Sequence, residues 1–142
     1  MKNKTLATLL ALLGGPVGLH RFYLHGLRDR WGWFMPVPTM VGVAGVLRVR
    51  QFGVDDKLGW LLSPWLGFSI AACALAALVY GLSSTERWNQ RFNPTASADA
   101  AAGHSNWFTI CIVVLAMLVG TTALITSLAL TFQHIFEFQS LT

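Results

Sequence analysis

LGWLLSPWLGFSIAACALAALVYGL, residues 58 to 82, is a run of twenty-five positions without an Asp, Glu, Lys or Arg. WFTICIVVLAMLVGTTALITSLALTFQ, residues 107 to 133, is a second such run. Each exceeds the roughly 20 apolar residues that an α-helix needs to cross the hydrocarbon core of a bilayer. No water reaches backbone N–H and C=O groups there, so each must be bonded within its own segment, and helix is the expected state. The rest of the composition agrees. The 142 residues are 54% hydrophobic and only 11% charged, against roughly 25% charged in soluble domains. With a mean hydropathy of +0.55, the chain lacks the polar surface that a soluble fold would need. The expected class is an all-α integral membrane protein.

Two further apolar segments precede these. Residues 5 to 19 form a short one that reaches spanning length only if it continues to Leu24. Residues 31 to 47, WGWFMPVPTMVGVAGVL, contain Pro36 and Pro38 and read as a kinked span or a re-entrant hairpin, with the span preferred. The expectation is therefore about four transmembrane helices. They divide into residues 1–57, a helical hairpin with its following loop, and residues 58–142, a second helix pair joined by a linker at 83–106. Within that linker Ser83 to Glu86 reads S-x-x-E, a helix-starting box. Trp88 and Phe92 then share one face and Arg87 and Arg91 another, which suits a short helix in the membrane interface. Trp31, Trp60, Trp88 and Trp107 sit at segment starts or on this helix and are expected as interfacial anchors. In segment three, Ser69, Cys73, Ala77 and Gly81 recur at every fourth position, as do Ser63, Gly67 and Ala71. Such ridges let helix backbones approach closely, within this chain or in a homo-oligomer.

The net charge is +4. The basic residues lie in short clusters between apolar runs, a distribution that fits anionic lipid headgroups and excludes an extended nucleic-acid face. Basic-residue counting leaves the orientation of a four-span chain undecided, with five on each side. Lys2 and Lys4 open the chain as a signal peptide does, but no A-x-A-like cleavage site follows, so the segment is expected to be retained. No internal repeat is evident. Cys73 and Cys111 each lie inside an apolar run, which is neither a disulfide framework nor a metal spacing.

LLGGPVGLHRFYLHG, residues 12 to 26, interrupts the first segment. Pro16 lacks an N–H and clashes with the preceding turn, while Gly14, Gly15 and Gly18 allow the chain to redirect. The break is expected at these four residues. Arg21, Phe22 and Tyr23 then supply a cation and two rings suited to the bilayer interface. The stretch Leu13-Gly14-Gly15, a spacer ending in Gly18, then His20-Arg21-Phe22-Tyr23-Leu24, resembles the TM-two domain family, whose members are built on a pair of linked transmembrane helices. His20 stands where eukaryotic relatives have Asp. Pro16 replaces the usual Leu or Phe, and the second half of the family pattern is matched only at Asp55 or Asp56. The resemblance implies a TM-two-like hairpin at the N-terminus and a bacterial integral membrane protein. It implies no catalytic activity.

The residues themselves point away from chemistry. Proton- or ion-coupled transport usually needs an ionisable side chain inside a span, and the apolar runs hold none. His20 and His25 are five apart, which does not align two ligands on one helix face. No catalytic residue, metal or cofactor is expected. The expected function is that of a non-enzymatic scaffold or regulator of a membrane protein partner, in an inner (cytoplasmic) membrane. His20, Arg21, Phe22 and Tyr23 would form its lipid- or partner-facing surface. The alternatives are a small oligomeric channel or transporter and, less favoured, a lipid-headgroup enzyme using His20, Arg21, Asp55 or Asp56.

Overall fold

Helix α1 (Lys4–Gly14) begins where the Asn3 side chain accepts a hydrogen bond from the Leu6 N–H at 3.2 Å. A 3-10 turn over Gly15–Val17 ends it, and Gly18 follows in the left-handed conformation with φ +83°. The chain then reverses. Helix α2 (Leu19–His25) runs back along α1, so that Leu24 packs with Ala7 and the Asn3 N–H donates to the Tyr23 hydroxyl at 2.8 Å. The Lys2 ammonium reaches the Leu24 carbonyl. These contacts are the computed structural model's account of the N-terminus; it describes residues 1–140, the side chain of residue 138 excepted.

Three stretches are long and apolar enough to cross a membrane: Arg30–Phe52, Lys57–Leu82 and Ala101–Glu137. The first joins α3 (Arg30–Phe34) to α4 (Pro36–Phe52) through Met35 in helical conformation, with Pro36 at the first turn of α4 where its missing N–H costs nothing. The second joins α5 (Lys57–Leu62) to α6 (Pro64–Leu82) in the same way through Ser63. The third contains most of α8 (Trp107–Ser140). The expected count of about four thus becomes three among the described residues. The first apolar segment is the one that falls short. Its 11-residue helix is about 16 Å long at 1.5 Å per residue, and the turn-back shape considered for segment two belongs to segment one.

Helix α6 is the spine, with α1, α4 and α8 packed around it. Small residues set the distances. Gly42 faces Leu66 and Gly45 faces Ser63, so α4 runs antiparallel to α6; Gly67 faces Ser127 and Gly120 faces Ala74, so α8 does as well. Ser69, Cys73, Ala77 and Gly81 are all buried. Gly15 lies against Cys73, where a Cβ would stand 2.5 Å from the cysteine Cβ. Dispersion between closely apposed backbones holds such contacts where hydrophobic burial cannot distinguish a neighbouring helix from lipid.

The two ends of the bundle follow. Lys4 donates from Nζ to the Ser83 carbonyl at 2.9 Å, and Thr5 meets Thr109 hydroxyl to hydroxyl at 2.7 Å. The N-terminus, the loop after α2, the C-terminus of α6, helix α7 (Thr85–Phe92) and the start of α8 therefore share one end. The loop between α4 and α5 and the far end of α8 share the other. Helix α7 is capped by Ser84, which accepts from the Arg87 N–H at 3.3 Å. The cap falls one residue after the expected Ser83, whose hydroxyl instead donates to the Tyr80 carbonyl.

Candidate functional site

The break and the motif after it form one corner. Gly14 and Gly15 are buried, Gly15 against Cys73 and Gly18 against the Gly32 backbone, while the carbonyl of Pro16 accepts from the Thr39 hydroxyl at 3.0 Å. The turn thus docks on α6 at one side and on the α3–α4 span at the other. The four motif side chains leave α2 toward four different protein partners. His20 packs its ring against Tyr80 with centroids 5.9 Å apart. Arg21 donates from Nε to Asp29 Oδ2 at 2.6 Å. Phe22 meets Trp33 edge-on at 5.3 Å and covers Gly32. Tyr23 holds Asn3.

His20 is only 1% exposed, which corrects its place on an expected lipid- or partner-facing surface; Arg21, Phe22 and Tyr23 are half-buried. The residues at the tip of the corner are the open ones: His25, Gly26, Leu27, Arg28, Arg30 and Trp31. Spacing alone could not separate the two groups, because the covered face of this seven-residue helix is set by Tyr80 of α6, against His20, and Trp88 of α7, against Leu24, some sixty residues later.

Around Asp29 the local design is explicit. Gly26 ends α2 with φ +82° and ψ 174°, a region open essentially to glycine. Asp29 caps α3 by accepting from the Trp31 N–H at 3.3 Å. The Trp33 indole N–H folds back to the Leu27 carbonyl at 2.9 Å. Every one of these features occurs again 27 residues later. Gly53 ends α4 with φ +89° and ψ −179°. Arg48 forks onto Asp56 at 2.9 and 3.0 Å. Asp56 caps α5 through the Gly59 N–H at 2.9 Å, and the Trp60 indole donates to the Val54 carbonyl. The shared pattern, R-x4-G-x2-D-x2-G-W, runs from Arg21 to Trp33 and from Arg48 to Trp60. An internal repeat is therefore present. The signal that finds it is this spacing, since apolar similarity between the copies is uninformative in a membrane-type chain. The copies sit at opposite ends of the bundle. Each guanidinium, bonded to its aspartate, holds the carboxyl below the usual carboxylate range, so both corners stay ion-paired at neutral pH.

The expected anchors divide. Trp31 and Trp107 are 63% and 75% exposed, whereas Trp88 is 1% exposed and Trp60 half-buried. Trp88 packs on Ala7 and Leu24 and donates from its indole to the Lys2 carbonyl at 2.9 Å. It is a core residue and not an interfacial anchor. Asn93 completes this clasp, accepting from the Lys2 N–H at 2.7 Å.

His20 Nδ1 is buried without a hydrogen-bond partner among the described residues. Burial first, then the positive charges of Arg21 and His25, push its pKa down from 6.5 to about 4, with Asp29 opposing. The unfolded chain takes up this proton near pH 6.5 and the folded chain only near pH 4. Between those values the unfolded state binds more protons, so stability falls as pH drops through that window. The thermal midpoint of the purified protein is expected to decline from pH 6.5 to 4. The His20→Phe variant should show a flatter curve over the same range, and an identical slope would refute the assignment.

Among the described residues no group of three His, Cys, Asp or Glu is placed to hold a metal ion. Compared with protein-family models, curated proteins and solved structures, the chain matches none.

Proposed function

We propose that this chain is a non-enzymatic protein of a bacterial inner membrane that scaffolds or regulates a membrane protein partner, with a TM-two-like N-terminal element entering the bilayer as a hairpin. The carrying observation is how the motif is used. His20, Arg21, Phe22 and Tyr23 are engaged in internal contacts, and the exposed tip beside them, His25 to Arg28 with Arg30 and Trp31, stands ready for contact. The motif is then the frame and the tip the contact surface.

Orientation follows from three spans instead of four. Lys2, Lys4, Arg21, Arg28, Arg30, Arg87 and Arg91 lie toward the end bearing the N-terminus, and Arg48, Arg50 and Lys57 toward the other. Basic residues favour the cytoplasmic side, so the N-terminus and the tip face the cytoplasm and α8 ends outside.

Two measurements test this reading. With Cys73 and Cys111 replaced by Ala, Gln51→Cys should react with a membrane-impermeant maleimide in intact cells, and Ser97→Cys only after permeabilisation. The reverse pattern would overturn the orientation. A photo-crosslinking residue at Leu27 should give a discrete protein adduct in native membranes, while the same residue at Met40, on the outer face of the first span, should give none. Absence of an adduct from Leu27, Arg28 and Trp31 alike would overturn the partner.

A further inference from the structure

Helix α7 lies across the C-terminal end of α6, with Trp88 and Phe92 against Tyr80. Beside that contact runs an open groove of about 630 Å³, within the size range of small-molecule sites. Its floor is apolar: Leu75, Leu78, Val79 and Leu82 from α6. Its rim carries Arg87 and Arg91, which stand at i, i+4 and so share one side of α7. Both are exposed. Neither has a carboxylate partner among the described residues, and the Arg91 guanidinium is held over the Phe92 ring at 5.3 Å. Glu86 neighbours Arg87 in sequence and therefore points to another side of the helix.

We infer that this groove binds one anionic glycerophospholipid, its phosphate between Arg87 and Arg91 and one acyl chain along Leu75, Leu78 and Val79. The inference rests on Lys57–Leu82 crossing the membrane. Three observations favour this occupant. The floor residues Leu75, Val79 and Leu82 are 60%, 56% and 72% exposed on a helix of spanning length, so the lower end opens to acyl chains. The rim lies at the end of that helix, where phosphates are found. The chemistry is divided in the same way as an amphiphile: two guanidinium forks without a carboxylate partner among the described residues, which match phosphate oxygens bidentately, above a wall with almost no polar group. The Ser83 hydroxyl and carbonyl are already engaged by Tyr80 and Lys4, which leaves a polar peptide or sugar little to bond. Trp88 and Phe92 also line the groove, so the basic and aromatic sides of α7 meet in one site.

The test uses the full chain, purified in mild detergent and equilibrated with mixtures of phosphatidylglycerol and phosphatidylcholine, with retained lipid counted by native mass spectrometry. One retained phosphatidylglycerol per chain is expected. Basic residues near an anionic surface each change binding about fivefold, so R87Q/R91Q should weaken retention about thirtyfold. R28Q/R30Q, at the same end but away from the groove, should retain the lipid. Leu78→Trp fills the floor without changing charge and should also release it. Equal retention by wild type and R87Q/R91Q would overturn the site. So would displacement by millimolar inorganic phosphate, which would make it a free-anion site. Failure of the chain to insert, read separately from the maleimide pattern, would instead overturn the spanning reading on which the inference rests.

Discussion

Replacing Gly18 with valine is expected to remove a large share of the protein's folding stability. Gly18 has φ +83°, a conformation that costs an L-residue about 1–2 kcal/mol and a β-branched one more. A Cβ there would also overlap the Gly32 carbonyl oxygen. That atom belongs to the backbone of α3 and cannot rotate away, so the α2–α3 pair must separate. Overpacking of this kind adds about 1–3 kcal/mol. Together these remove much of a typical stability of roughly 5–15 kcal/mol, and a fall of about 10 °C or more in the thermal midpoint is expected. The comparison that isolates the cause is Gly18→Ala against Gly18→Asn. Asn enters the left-handed conformation more readily than Ala but carries the same Cβ against the Gly32 carbonyl oxygen. Both variants should therefore lose comparable stability. Recovery of the wild-type midpoint by Gly18→Asn, measured by thermal melts in one detergent, would refute the close approach of the turn to α3.

That turn also marks where the sequence could be read and where it could not. The three long helices were legible because length and apolarity are local properties, and the ridge Ser69, Cys73, Ala77, Gly81 was legible because its period is helical. Residues 5 to 24 misled for the same reason. Apolarity continues through Pro16, Val17 and Leu19, and a count of apolar residues records length without direction. The residues mark a break at Gly14, Gly15, Pro16 and Gly18; its angle, a full reversal through Gly18 in the left-handed conformation, appears only in the structure. With one span fewer, the basic residues that had balanced five to five divide seven to three. The fate of Trp88 was hidden differently. A Trp and a Phe on one face of a short helix predict that the face is covered, and lipid and protein cover give the same pattern. Here the cover is protein, Ala7 and Leu24 with the Lys2 carbonyl, 86 residues away in sequence, accepting from the indole. The repeated corner was masked because only Arg, Gly, Asp, Gly and Trp recur among thirteen positions. Its logic becomes visible once the geometry gives each of those residues its own part, as fork, left-handed stop, cap, close crossing and fold-back indole.

Trp88→Ala should be the most damaging truncation of an aromatic side chain in this protein. Buried Trp or Phe to Ala changes cost about 3–5 kcal/mol, the sum of lost transfer energy and the cavity left behind. Trp88 is among the largest fully buried side chains. It lies 4.5 Å from Phe92 and 6.0 Å from Tyr80, ring centroid to centroid. Its loss also strips the indole donor from the Lys2 carbonyl, leaving Asn93 to hold that backbone alone. Residues 1–3 keep their bonds to Asn93, Tyr23 and the Leu24 carbonyl but lose the wall they pack on, so the variant should lose N-terminal residues to a protease faster than the wild type does. Trp88→Phe keeps most of the ring volume without the donor and should fall between the two. Trp31→Ala supplies the contrast. Its side chain is 63% exposed and packs edge-on with Phe34, at 6.1 Å, so its loss should move the thermal midpoint by a few degrees at most. A belt of equivalent interfacial tryptophans would make Trp31→Ala and Trp88→Ala alike in both melting and proteolysis. A clasp buried between the N-terminus, α2 and α7 requires them to differ, with the faster N-terminal cut confined to the Trp88 variant.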